Sequence, residues 1–330
     1  MFFKNLTAFK LNQEINPEQL MNALEDFAFK SCAPGQASST GWAHPFIKDH
    51  EDTFHSINSF HLLCLKTEDK ILPAQVVNEH TQQKIEEIER LQNTKIGKHE
   101  KATIKDEVQQ TLLTKAFSKS KQTYGYIDAA NGFLVIDSNS DKVIDDFTAL
   151  LRKSLGSLKI QPMFDDISTI LTSWFKENAA PTDIVIEDKC KLVTDQGDGV
   201  ANITCQGNTM LSDNILAFIE AGGAISELAI SWRDQISLTI NDRFQWKSIK
   251  FLEGLKDLNH ELDKEDKIVR QEADFLLMAE TFAELLNQSE DYFNTTDNQM
   301  PLVYDDIQSQ VADEINIESV ENAETTEENN

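Results

Sequence analysis

From Phe2 to Leu11 apolar and polar residues alternate, and this two-residue period predicts a first strand. Asn16-Pro17 then places a capping residue before a proline suited to the first helical position, and Leu20, Leu24 and Phe27 recur at helical spacing, so a helix is expected to about Ala28. Residues 31–58 are rich in Ser, Gly, Pro and His and read as loop, with a short strand around Trp42. Ser59 to Lys66 reads as a strand with a mixed apolar face. At Pro73 the period becomes helical: Val76, Val77, Ile85, Ile88 and Leu91 make a thin apolar stripe on a long polar helix. Thr103, with Asp106 three residues on, has the pattern of a fresh N-cap, and Val108, Leu112 and Leu113 continue a second helix. One thin stripe can be buried only against its neighbour, so a projecting helical hairpin is expected.

Thr123–Asp128 and Phe133–Asp137 alternate as strands around Asn131-Gly132, a strong turn signal. Asp141–Leu155 reads as a helix ended by Gly156, Leu158–Met163 as a short strand, and Asp165–Lys176 as a helix. Strand-like runs then recur at Ile184–Val193, Val200–Cys205, Ala224–Trp232, Gln235–Ile240 and Gln245–Phe251. A helix at Leu211–Glu220, ended by Gly222-Gly223, interrupts them. Asp266–Leu286 is a last long helix, with Ile268, Phe275, Met278, Phe282 and Leu285 marking a packed face. The order of elements predicts an α+β fold with mixed or antiparallel sheets.

Composition narrows this picture. The 330 residues, 40% of them hydrophobic, suffice for two or three compact units. No run reaches the ~18 uncharged apolar residues of a membrane helix, and the opening segment lacks the pattern of a secretory signal. The four cysteines, Cys32, Cys64, Cys190 and Cys205, are scattered, which fits reduced buried thiols in the cytoplasm and gives no zinc spacing. The formal charge of −26 is unevenly spread. Residues 290–330 carry twelve acids and no Lys or Arg, so this part holds −12 and the rest −14. That composition predicts a disordered acidic tail, with apolar islands at Met300–Tyr304 and Ile307–Ile317 that could engage a partner.

Catalytic signatures are absent: no glycine-rich phosphate loop, no nucleophile elbow, no HExxH, and no cofactor motif. The pairs Asp145-Asp146 and Asp165-Asp166 sit near expected helix starts, where adjacent positions point about 100° apart and cannot face one metal together. Histidines at 44, 50, 55, 61, 80, 99 and 260 are dispersed; only His50 and His55 share a loop. The basic residues are more informative. Lys95, Lys98, Lys101, Lys105, Lys115, Lys119 and Lys121 outnumber Glu100, Asp106 and Glu107, giving a local balance of +4. Lysines so presented can contact phosphates, with affinity that ignores sequence and weakens with salt. Arg152-Lys153 forms a second candidate patch, and Arg233, Arg243, Lys247 and Lys250 a third. Trp42, Trp174, Trp232 and Trp246 read as core aromatics, whereas Phe117 sits in an exposed lysine-rich stretch as a subunit contact or a wedge at DNA. The residues alone leave three readings open: a DNA-binding protein, a metal-dependent nuclease or phosphatase with unrecognised carboxylates, and an interaction protein whose acidic tail mimics DNA.

The series Phe3-Lys4-Asn5-Leu6, Gly41-Trp42, Lys70-Ile71-Leu72-Pro73, Lys105-Asp106-Glu107-Val108, Ala116-Phe117-Ser118, Leu150 to Leu158, Glu220-Ala221-Gly222 and Ala273 to Met278 resembles the recombination-associated protein RdgC family. The resemblance implies a ring-shaped homodimer around duplex DNA, binding without sequence preference, restraint of RecA-driven strand exchange, no catalysis, and a cytoplasmic, nucleoid-associated place. It also implies a division into a central body (1–75 and 118–164), a hairpin tip (76–117) and a base (165–286), with the acidic tail (287–330) outside the pattern. Phe117 would then lie at the tip contact that closes the ring, with Lys95 to Lys121 toward the hole. Glu227 stands in a stretch where the family pattern carries lysines, which weakens positive potential in the base.

Overall fold

A computed structural model describes residues 1–47, 52–177, 179–195, 200–207, 212–252 and 267–293. In chain order these form β1 (Thr7–Leu11), α1 (Pro17–Glu25), β2 (Ser38–Trp42), β3 (Phe54–Ile57), β4 (Phe60–Lys70), α2 (Ala74–Gln92), α3 (Lys98–Leu113), β5 (Ser118–Asp128), β6 (Phe133–Ile136) and α4 (Asp141–Leu155). There follow β7 (Ile160–Pro162), α5 (Ser168–Glu177), β8 (Ile184–Asp195), β9 (Val200–Gln206), α6 (Asp213–Glu220), β10 (Ala224–Trp232), β11 (Ile236–Asn241), β12 (Trp246–Phe251) and α7 (Lys267–Phe293). The fold is α+β, and all its strand ladders with an assigned register are antiparallel. No described helix is long and apolar enough to cross a membrane. The chain divides into two compact units: 1–17, 56–62 and 125–330 in the first, 18–55 and 63–124 in the second.

In the first unit β1 pairs with β6 and with β7, and β6 with the end of β5. A second sheet runs β12-β11-β10-β8-β9. Helix α7 supplies the cement. It buries Phe275, Phe282 and Phe293 at intervals of seven and eleven residues, close to two and three helical turns, so one face carries all three. Phe275 meets Tyr126 and Phe60, Phe282 meets Trp246 and Phe251, and Phe293 meets Trp174, Phe244 and Phe164. Each buried Phe contributes about 1.5–3 kcal/mol from area removed from water. These contacts carry α7 seven residues past the expected stop at Leu286, through a polar run that reads as tail: Ser289 is buried with its hydroxyl donating to the Leu285 carbonyl, and Glu290 meets Lys10 at 2.7 Å. The expected tail beyond Phe293 lies outside the described residues.

The first strand is shorter than its alternation predicts, because Phe2–Asn5 find other partners. The Lys4 and Asn5 amides donate to the Asp137 carboxylate, and Leu6 exchanges backbone bonds with Trp246. All four tryptophans are buried, as their spacing predicts, and the four cysteines are free thiols, Cys32 half-buried and the rest buried. Helix α4 and strand β10 keep their predicted bounds; Gly156, at φ +77°, supplies the left-handed residue that stops α4.

In the second unit β2 pairs with β4 from Ser38↔Asp69 to Trp42↔Leu65. Helix α1 stops at Glu25, three residues before the expected Ala28, because Phe27–Phe29 turn to bond Trp42: its amide donates to the Phe27 carbonyl at 2.9 Å, and its carbonyl accepts from the Phe29 amide at 2.7 Å. Helices α2 and α3 pack together through Ile85, Ile104 and Val108, with Ile96 of the connecting turn buried among them and Ile88 and Leu112 alongside. Two details differ from the sequence pattern. Thr103 is not a cap: α3 begins at Lys98 behind Gly97, and Thr103 bonds back to the His99 carbonyl one turn earlier. Leu91 leaves the stripe at 73% exposure, because α2 ends one residue beyond it, at Gln92, and Asn93 turns left-handed at φ +50°.

Candidate nucleic-acid interface

The lysine-rich stretch of the second unit is built on fixed backbone. The turn between α2 and α3 is tied by the Ile96 amide, which donates to the Glu89 carboxylate at 2.9 Å while the Ile96 side chain is buried. Lys95 and Lys98 flank that anchored residue, and both are exposed. Along α3, Lys98, Lys101 and Lys105 fall within about 60° of arc at 100° per residue, while Glu100 and Glu107 point at least about 100° away from each of them. Glu100 and Glu107 are thus turned from these lysines, whereas Asp106 stands about 80° from Lys98. Glu107 is moreover neutralised by Lys84 of α2, at 2.7 Å.

The stretch continues into β5. Ser118 to Gln122 are all exposed, so this part of the strand is uncovered on both faces, and Lys119 and Lys121 share one of them. Phe117, just before β5, is 85% exposed. Its carbonyl accepts the Ile71 amide at 2.7 Å, and Ile71 is itself 52% exposed. One backbone bond thus links two residues whose large apolar side chains are both exposed, and the Lys70 ammonium donates to the neighbouring Ala116 carbonyl at 3.4 Å. Sequence reading finds Phe117 but misses Ile71, because the pairing spans 46 residues and Ile71 follows the polar run Lys66 to Lys70 with no periodic signal. Glu68 of β4 is held below the ordinary carboxylate range chiefly by a hydrogen bond from Ser118.

Lys95, Lys98, Lys101, Lys105, Lys115, Lys119 and Lys121 are all exposed, and none forms an ion pair with a described residue. Exposed ammoniums without partners keep their full charge available to an anion.

The basic candidates of the first unit are placed differently. Lys247 lies 2.9 Å from Glu227, so its charge is matched within the sheet. Arg243 approaches Asp141 at 3.4 Å, and Arg233 holds both Asp183, at 2.9 Å, and Glu284. Arg152 is half-buried with its Nε enclosed and without a hydrogen-bond partner, Lys153 is exposed on the last turn of α4, and Lys250 is exposed on β12. Of the three sequence patches, only the one at 95–121 has every cation exposed and, among the described residues, free of ion pairs.

The acidic pairs are apart from any cluster. Asp145 and Asp146 are exposed in the second turn of α4, and Asp166 accepts the Ser168 amide at 2.7 Å as a cap for α5. Among the described residues no three His, Cys, Asp or Glu side chains converge as a metal site. His50 and His260 lie outside the described residues. His61, buried against the Ser56 hydroxyl at 2.7 Å, has its basicity lowered by burial, which outweighs the opposite pull of Asp128.

An α+β protein with a lysine-rich segment, 95–121, whose lysines are exposed and, among the described residues, without ion pairs is the class that the fold and site define. A family model described as "Putative exonuclease, RdgC" matches residues 1–296. The "Recombination-associated protein RdgC" of Serratia proteamaculans (strain 568) is 36% identical over 293 residues, covering 88% of this chain and 96% of the relative. The protein of the same name from Yersinia pestis (strain Pestoides F) is 36% identical over 290 residues, covering 87% and 95%. The chain belongs to the RdgC family.

Proposed function

We propose that this protein binds duplex DNA without sequence preference, as a ring-shaped homodimer that encircles the duplex and restrains RecA-driven strand exchange. The observation that carries the reading is the set of seven exposed, unmatched lysines between Lys95 and Lys121 in a chain of net charge −26. A molecule so acidic is repelled by DNA at long range, so binding must come from a focused patch within a Debye length of the phosphates, about 8 Å at physiological salt. Lysine ammoniums there displace condensed counterions, which gives affinity without base readout. The names of the relatives, which associate them with recombination, support the same reading.

In this account α2 and α3 form the hairpin tip (76–117), and the rest of the chain forms a central body (1–75 and 118–164) and a base (165–286). Phe117 closes the ring against its counterpart in the partner subunit, with Ile71 beside it. Lys95, Lys98, Lys101, Lys105, Lys115, Lys119 and Lys121 face the duplex. Arg152, Lys153 and Lys250 add weaker contacts, and Lys247 adds least because Glu227 matches it. The mechanism is obstruction: no bond is made or broken, and the bound ring blocks the recombinase filament. The place of action is the cytoplasm, on the nucleoid.

The family's description names an exonuclease, so a hydrolytic reading has its own support. One experiment separates the two. The protein is incubated with supercoiled plasmid and a labelled linear duplex, with and without magnesium. The proposal expects a retarded complex on both and intact DNA at the end. Shortened duplex ends, or absence of any complex, contradicts it.

A further inference from the structure

Residues 294–330 contain four Asp and six Glu and no Lys or Arg, a formal charge of −10. The family match ends at residue 296, and the Serratia relative is matched over 96% of its own length, which leaves it fewer unmatched residues than this segment's 37. The segment is thus an addition to a chain that already contains the whole family pattern. It begins where α7 ends, at Phe293.

Among the described residues its fitting counterpart is the densest run of exposed lysines without ion pairs; Lys142, Lys159, Lys189 and Lys250 are exposed and unpaired as well, but stand singly along the chain. The lysines of segment 95–121 are exposed and unmatched, whereas Lys10, Lys84, Arg233, Arg243 and Lys247 already have carboxylate partners within the fold. The acids are also spaced to follow a row of cations: Asp297, Asp305-Asp306, Asp313-Glu314, Glu318, Glu321, Glu324 and Glu327-Glu328 recur every three to eight residues. Reach is no obstacle, since 37 residues extend to about 120 Å, several times the radius of gyration of a folded chain of this length. Tethering raises the local concentration of the acids to the millimolar range, so weak individual contacts suffice.

We infer that the acidic segment 297–328 of this chain docks on the lysine surface formed by Lys95, Lys98, Lys101, Lys105, Lys119 and Lys121, and competes there with the phosphates of a nucleic acid. The inference rests on the proposed function for its consequence, but the docking itself does not. Because both occupants are polyanions, the competition sets a threshold: only a ligand of high local phosphate density displaces the segment. Salt weakens both contacts, so the inhibitory effect is largest at low ionic strength.

The test uses the full chain and a full-length variant in which the ten acids of 297–328 are replaced by their amides. Binding of a fluorescent mixed-sequence duplex is followed by anisotropy from 50 mM to 500 mM NaCl. The variant is expected to bind at least about tenfold more tightly at 50 mM, with the ratio falling toward one at the top of the range. A second arm measures a labelled synthetic peptide of residues 294–330 against the amide variant. It is expected to bind, to be displaced by duplex, and to lose binding when Lys98→Gln, Lys101→Gln and Lys105→Gln are added. Equal duplex affinities of the two full-length proteins overturn the competition. Tighter duplex binding by the variant without peptide binding points to bulk repulsion and overturns the docking. Peptide binding in a chain that never binds duplex overturns the proposed function and leaves the docking standing.

Discussion

A methyl group at Gly41 would lie 2.5 Å from the Phe29 Cα and 2.8 Å from the Phe27 carbonyl oxygen, all backbone atoms that cannot swing aside. Gly41-Trp42 stands out in the sequence as a motif, and here is its physical reason: the chain of Phe27–Phe29 passes against it. Gly41→Ala is expected to cost about 2 kcal/mol or more of stability, read as a lower urea midpoint with unchanged slope; an unchanged midpoint would show that the two segments can separate freely. His61 gives a residue-scale prediction with a sign. Burial lowers its pKa from the ordinary 6.5, so the folded state prefers the neutral ring. A group of this kind supports the fold above its unfolded pKa, and that support is lost as pH falls below it. The difference in thermal midpoint between the wild type and His61→Asn should therefore shrink from pH 8 to pH 5. A gap that stays constant or widens contradicts the assignment of His61 as a buried neutral imidazole.

Elements differ in how much of them can be read from the chain. α4 was legible to the residue, because Asp141 opens an amphipathic run and Gly156 stops it. The run 224–232 was equally plain, because Gly222-Gly223 ends the preceding helix and Ile225, Leu228, Ile230 and Trp232 follow. The end of α7 was not, since Asn287 to Asp291 are polar and only distant partners, Lys10 for Glu290 and Trp174 for Phe293, extend the helix. The start of α3 was missed for a related reason. Gly97 has no side chain to cap with, so Thr103 looked the better start, yet the burial of Ile96 fixes the turn before it. Since α2 and α3 join through few apolar side chains, each matters. Ile104→Ala should cost about 2–5 kcal/mol, and hydrogen exchange should show faster opening of α2 and α3 together. Faster exchange in α3 alone would mean that the two helices do not open as one element.

At the scale of the whole molecule, the lysine cluster was legible because it inverts the sign of an acidic chain over 27 residues, Lys95 to Lys121. Which cations remain available was not. Lys247 lies 20 residues from Glu227 and only the folded sheet brings them together, whereas nothing in the spacing distinguishes it from Lys250. The apolar pair of Phe117 and Ile71 likewise depends on a long-range backbone bond. Both side chains face solvent, so Phe117→Ala is expected to change the stability of the single chain by no more than about 0.5 kcal/mol. It should nonetheless shift sedimentation from dimer toward monomer at micromolar concentration. A dimer that persists unchanged removes Phe117 from the ring contact.

The central claim is that DNA affinity resides in the lysines of α3 and the adjoining segment, despite the charge of the rest. It is tested most directly by the salt dependence of duplex binding, comparing the full chain with the same chain carrying Lys98→Gln, Lys101→Gln and Lys105→Gln. The account predicts a linear fall of log K with log salt for the wild type, and in the variant a slope shallower by about one for each substituted lysine that faces a phosphate. An identical slope in the two proteins, or binding indifferent to salt, would contradict it.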